Sequence, residues 1–158
     1  MRDDAWLQQL LDHIWDRYFS DVPQHNDVRI NFGRRAKRRL GSIMLDRHDR
    51  RTSIITMNGL FRSPEIPEFV VAATIVHELT HYAHGFNSPL DQDLKHPHAG
   101  GVMRREFAER GLLELYLKQK RWLKFHWGEV LARELPTPSR RPRPATIRSV
   151  KPFWFVGD

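Results

Sequence analysis

Apolar residues recur along the first twenty positions at the three-and-four spacing of an amphipathic helix: Trp6, Leu7, Leu10, Leu11, Ile14, Trp15, Tyr18 and Phe19. Asp3 or Asp4 is placed to cap its N-terminus. After a loop over "DVPQHND" the period changes to two, with Val28, Ile30 and Phe32 on one side. Val28 to Phe32, Ser42 to Leu45 and Ser53 to Met57 read as strands of a small antiparallel sheet, the last two joined by the polar turn "DRHDRR". The basic stretch "GRRAKRRLG" between the first two strands is expected at the exposed rim of the sheet. In "FRSPEIPEF" Pro67 suits a first helical position and Glu68 a first turn.

The next segment, "EFVVAATIVHELTHYAHG", is apolar on almost every side until His77, as in a helix buried in a core, and Gly85 is a natural stop. A long loop follows, "FNSPLDQDLKHPHAGG". Val102, Met103, Phe107, Leu112, Leu113 and Tyr116 then predict one or two further helices. "PTPSRRPRP", from Pro136 to Pro144, is compatible with neither helix nor central strand and reads as an extended basic tail. Its end, "VKPFWFVGD", is aromatic enough to dock on the body or on a partner.

At 158 residues the chain fits one domain with a tail. No apolar run approaches the ~20 residues of a membrane span, and the acidic, amphipathic N-terminus is unlike a signal peptide. The expectation is therefore no membrane partner and a cytoplasmic location. With no cysteine, a metal would be held by histidine, carboxylate or water. The net charge of +7 is clustered in regions 29–51 and 118–151. Such clustering points to an anionic partner, with DNA the candidate, against the plainer alternative of a solvated basic face.

The chemistry concentrates in "HELTH". His77 and His81, four apart on a helix, project from one face and can share one zinc ion, while Glu78 points aside and can reach a water on the metal without ligating it. Burying two imidazoles and a carboxylate is costly unless each finds a partner, and a metal with its water satisfies all three. The plainer alternative, histidines bonded to backbone carbonyls in a core helix, leaves Glu78 without a role.

A catalytic zinc takes a third protein ligand. His84 lies about 10.5 Å from His77 along the axis at ~1.5 Å per residue, too far for the same ion. His96 and His98 are both candidates; His98 is favoured because Val102 and Met103 would anchor the next helix with its imidazole aimed inward, and Glu106 is a lesser carboxylate alternative. Tyr82, His84 and Arg104 are candidates to stabilise an oxyanion. The loop from Phe86 to Lys95 is a candidate lid over the cleft. Trp122, Phe125 and Trp127 in "KRWLKFHW" could stack on bases but more often serve as core.

Three pieces of the chain, "RRAKRRLGSIMLDRHDRRTSIITMNGLF", "VVAATIVHELTHYAHG" and "HPHAGGVMRREF", together resemble the SprT-like zinc metallopeptidase family, a zincin-type group. The resemblance spans roughly residues 28 to 110, and its active-site helix is the specific part. It implies an α+β, zincin-like domain over 1–135 with an N-terminal helix, small antiparallel sheet, buried HExxH helix and following helices, and a basic Pro/Arg-rich tail over 136–158. It also implies zinc on His77, His81 and a downstream histidine, with Glu78 as general base, in a metalloendopeptidase acting on protein substrates. An apolar residue four positions after the downstream histidine suits His98 and Val102 better than His96 and Gly100. Some members act on proteins attached to DNA. The cysteine zinc ribbon of many relatives is missing here, so nucleic-acid targeting would be electrostatic. The rival expectation is a non-catalytic nucleic-acid-binding module with a structural zinc, in which Glu78 has no function.

Overall fold

The computed structural model describes residues 1–92 and 94–135, with Ala99 by its backbone only. Four α-helices, α1 (Asp4–Tyr18), α2 (Glu68–Ala83), α3 (Val102–Glu109) and α4 (Leu113–Glu134), accompany three strands, β1 (Val28–Phe32), β2 (Gly41–Leu45) and β3 (Ser53–Met57). This is a small α+β arrangement. The tail read over 136–158 lies outside the described residues.

Helix α1 begins where the Asp3 carboxylate accepts from the Trp6 N–H at 2.8 Å, the N-cap its sequence suggests. Leu7, Leu11 and Ile14 form its buried stripe. The next residue, Asp4, accepts from the Phe32 N–H at 3.0 Å and so ties the start of the helix to the end of β1.

The sheet departs from the antiparallel expectation. Its order is β1-β3-β2, with β1 parallel to β3 (Val28↔Ser53 through Phe32↔Met57) and only β2 and β3 antiparallel (Gly41↔Met57 through Leu45↔Ser53). The physical reason lies in the link 33–40 and in Asn58. That link is long enough to step over one strand position, and the buried Asn58 amide donates to the carbonyls of Ala36 and Arg39, both at 2.7 Å. Asn58 also accepts from the backbone N–H groups of Ala36 and Leu60. The basic link is therefore bolted to the end of the central strand rather than looping free at the rim, while its cationic side chains stay exposed. Gly59 permits the close approach: a Cβ there would stand 2.5 Å from the Gly33 carbonyl oxygen.

Strand β3 alternates buried and half-buried positions, with Ser53, Ile55 and Met57 inward. Helix α1 lies over β1 and α2 over β2. Helix α2 buries Val70, Val71, Ala73, Ile75, Val76 and Leu79 between sheet, α1 and α4. Pro67 is its N-cap, one residue outside the first helical position, because its ψ of 141° is extended. At the other end Gly85, at φ +78°, closes a Schellman motif: the Phe86 N–H donates to the His81 carbonyl at 2.9 Å and the Gly85 N–H to that of Tyr82 at 3.0 Å. The buried Gln119 of α4 donates to the Val70 carbonyl and to the Thr74 hydroxyl, fixing α4 across α2.

Candidate metal centre

Helix α2 carries two kinds of buried polar residue. Thr74, Thr80 and Tyr82 are satisfied: the threonine hydroxyls donate to the carbonyls of Val70 and Val76 one turn back, both at 2.9 Å, and the Tyr82 hydroxyl donates to the Asn26 side-chain oxygen at 2.7 Å. His77, Glu78 and His81 are different. Glu78 is 4% and His81 8% exposed, and among the described residues no hydrogen-bond partner is found for any of these three side chains; the His81 Nδ1 atom is fully buried and orphaned.

The structure brings His77, His81 and His98 together. Each offers a ring nitrogen, and these nitrogens all lie within 4.8 Å of one another. The ring centroids are 4.8 Å apart for His77 and His81, 5.1 Å for His77 and His98, and 4.8 Å for His81 and His98. The first pair comes from one face of α2, a turn apart. His98 arrives on the turn before α3, whose buried Val102 and Met103 hold the segment down; Gly100 at φ +61° and Gly101 at φ +72° make the left-handed bends between them. His96 and Glu106 are not in the group. Instead the Glu106 carboxylate meets His84 Nε2 at 2.8 Å and Arg110 Nε at 3.5 Å, while His84 Nδ1, like His81 Nδ1, is buried without a partner among the described residues.

Electrostatics separate the three helix residues from ordinary surface groups. Burial, together with the neighbouring charges of His81, His98 and Lys120, pushes His77 down to about 3. Burial, with His98 and His84 beside it, brings His81 to about 4. At neutral pH both imidazoles are uncharged and present a lone pair, the ligating form. Burial raises the Glu78 carboxyl to about 7, opposed by the Arg39 charge. A carboxyl so placed exchanges a proton near neutrality.

The residues fit a zinc ion on three observations: an all-imidazole donor set, an orphaned buried nitrogen, and a carboxylate next to the set that is not itself a member of it. Nitrogens bound at about 2.1 Å to one ion stand no more than about 4.2 Å apart. The 4.8 Å limit on their spacing lies slightly above that, so a bound ion would draw the three rings a little closer.

His77 and Glu78 open onto a cavity of about 450 Å³, walled by Arg38, Arg39 and Gly41 on one side and by Gln119, Lys120 and Leu123 of α4 on the other. Gly41 makes room for the carboxylate: a Cβ there would stand 2.9 Å from Glu78 Oε1 and 2.8 Å from Thr74 Cγ2.

Tyr82, engaged with Asn26, and His84, engaged with Glu106, have other partners than a reacting carbonyl, and Arg104 is an exposed residue that does not line the cavity. In the loop from Phe86 to Lys95, Phe86 packs edge-on against His81 with ring centroids 6.1 Å apart, Ser88 donates to the Tyr82 carbonyl and Asn87 accepts from Ser53, while Ser88 and Pro89 line a separate cavity of about 360 Å³ and no described residue of the loop lines the cavity at His77 and Glu78. Trp127 is bonded to the Lys37 carbonyl and packs edge-on against Phe61, whereas Phe125 is 62% exposed. Conversely, sequence reasoning missed Arg39, Gln119 and Lys120 as cavity residues. The two basic clusters were visible, but nothing local showed that they face each other.

The site is thus a three-histidine constellation with an adjacent, protonatable carboxylate, and two of its members, His77 and Glu78, line a cleft with basic walls. Compared with protein-family models, curated proteins and solved structures, the chain matches none. No described helix is long and apolar enough to cross a membrane.

Proposed function

We propose that the protein is a zinc-dependent metalloendopeptidase of the zincin type, similar to the SprT-like family, with zinc on His77, His81 and His98 and Glu78 as general base. The observation that carries this reading is Glu78: buried, without a hydrogen-bond partner among the described residues, and poised near 7 beside three converging imidazoles. A structural metal would have no use for such a group. When bound, zinc supplies a Lewis acid that polarises a carbonyl and acidifies water.

The chain's own residues do the rest. The Glu78 carboxylate takes a proton from the attacking water in the cavity and passes it to the leaving amide nitrogen. Water is thereby added across the C–N bond, yielding a carboxylate and an amine, and Glu78 is returned to its ionised form. Gly41, at the start of β2, leaves the room that the carboxylate occupies. The basic regions 29–51 and 118–151 support substrates among nucleic-acid-associated proteins.

Zinc per chain, measured by elemental analysis, tests the site first. About one zinc is expected in wild type and in His96→Ala, and much less in His77→Ala, His81→Ala and His98→Ala. Glu78→Gln should retain the metal while peptide hydrolysis falls by about a thousandfold or more. Full retention of function in Glu78→Gln would instead assign a structural zinc in a nucleic-acid-binding module.

A further inference from the structure

Among the described residues five arginines are in ion pairs and the other cations are not; what sets three of the latter apart is their place on the cavity wall. Arg29, Arg35, Arg62, Arg110 and Arg133 each have a carboxylate within ion-pair distance. Arg38, Arg39 and Lys120 make no such pair among the described residues, and all three line the cavity beside His77 and Glu78. They come from segments on opposite sides of α2 in the sequence. Arg39 precedes β2 and Lys120 lies on α4, so the cavity that His77 and Glu78 line receives a cation from each of two separate elements.

Their frame is fixed although their side chains are exposed. The Arg39 carbonyl accepts from Asn58, the Lys37 carbonyl from Trp127 Nε1 at 3.0 Å, and Gln119, next to Lys120, is bonded into α2. Arg39 is not committed to Glu78, since no hydrogen bond or ion pair joins them. Uncommitted cations on a rigid wall are what a cleft needs to read a substrate anion.

The geometry points to a substrate whose acidic side chain, Asp or Glu, lies within one or two residues of the bond that is cut, with Arg39 and Lys120 as the specificity-determining residues. This rests on the peptidase reading above. Extended peptide advances about 3.3 Å per residue and alternates its side chains, so a residue flanking the reacting carbonyl comes within reach of the long side chains on either wall. A cavity of about 450 Å³ has the size of a pocket for a few side chains. Duplex DNA, whose major groove alone is about 12 Å wide, would lie across the rim rather than enter.

The test uses the full zinc-loaded chain and three rhodamine-labelled decapeptides that differ only at the residues flanking the central bond: Asp and Glu, Asn and Gln, or Lys and Arg. Binding to Glu78→Gln is followed by anisotropy and cleavage by wild type by mass spectrometry. The acidic peptide should bind and be cut about tenfold or more better than its amide counterpart. Arg39→Gln and Lys120→Gln should each remove most of that preference, Arg39→Glu with Lys120→Glu should turn it toward the basic peptide, and Arg47→Gln, in the β2–β3 turn, should leave it intact. Equal binding of the acidic and amide peptides, or a preference unmoved by both single variants, overturns the proposal. So does an oligonucleotide that binds in an Arg39- and Lys120-dependent way where the acidic peptide does not bind. The two readings fail separately: charge-selective binding without any cleavage sinks the peptidase reading alone, and equal cleavage of all three peptides sinks only this one.

Discussion

Two groups of polar side chains on α2 meet the cost of burial in opposite ways. In one, Tyr82 gives its hydroxyl to Asn26, whose amide in turn donates to the Arg51 carbonyl and the Ser53 hydroxyl. In the other, Glu78, His77 and His81 have no protein partner among the described residues, and their proton equilibria are displaced as a result. Burial of a polar group without a partner costs on the order of 1–3 kcal/mol or more. A helix that satisfies some of its buried polar groups and leaves those at the metal centre open is therefore storing that cost where a ligand can relieve it.

The largest consequence is a pH dependence of stability in metal-free protein. Between the unfolded value near 4.5 and the folded value near 7, native Glu78 holds more protons than the unfolded chain does. Its contribution to stability is present below that window and declines as pH rises through it. The full change corresponds to roughly 3 kcal/mol. His77 and His81 act with the opposite sign: their folded values near 3 and 4 lie below 6.5, so the stability they contribute is complete above 6.5 and is lost as pH falls toward 3. Glu78→Gln keeps the histidine slope and removes the other. In EDTA, urea unfolding should show the variant gaining on wild type by roughly 3 kcal/mol between pH 4 and pH 8. Parallel pH profiles for the two proteins would mean that the open group on α2 is not strained at Glu78.

Gly41→Ala probes the space that the open group occupies. The new methyl would stand 2.8 Å from Thr74 Cγ2 and 2.9 Å from Glu78 Oε1, distances that force the carboxylate aside. A stability loss of about 2 kcal/mol is expected from the overpacking. Misplacing the base should lower kcat by about a hundredfold, while zinc content, set by the histidines, stays at the wild-type level. Loss of zinc in step with activity would show that the carboxylate and the histidines cannot be separated.

Much of this contrast could be read before the fold was known. The limits of β1 and β3 follow from strict alternation in "VRINF" and "SIITM", and the buried character of α2 follows from its unbroken apolar run. Both are local patterns. The insertion of β3 between β1 and β2 was not legible, because it depends on the bonds that Asn58 makes to a link many residues earlier. The pairing of His77 with His81 is helix geometry and needs no fold. The convergence of His98 with them could only be argued from the anchoring residues Val102 and Met103, and the meeting of Arg39 with Lys120 across the cleft left no local trace at all, since charge clustering says how many cations there are and not which surfaces face each other. Nor could Tyr82 be told apart from its polar neighbours on α2; only the Asn26 contact assigns it to the satisfied group.

That assignment gives the smallest of the expected effects. Tyr82→Phe removes one hydroxyl that donates to Asn26 at 2.7 Å and leaves the ring packed edge-on against Trp15. The net loss should be about 1 kcal/mol in urea unfolding, the usual worth of a buried neutral hydrogen bond. Asn26 keeps its own bonds to Arg51 and Ser53, so the network should hold its shape. On the proposed reading zinc content and kcat should both remain at wild-type values, because neither Tyr82 nor Asn26 lines the cavity. A fall in kcat larger than the stability loss explains would show that the Tyr82–Asn26 contact positions Glu78 and the histidines, and that the polar groups of α2 act as a single unit.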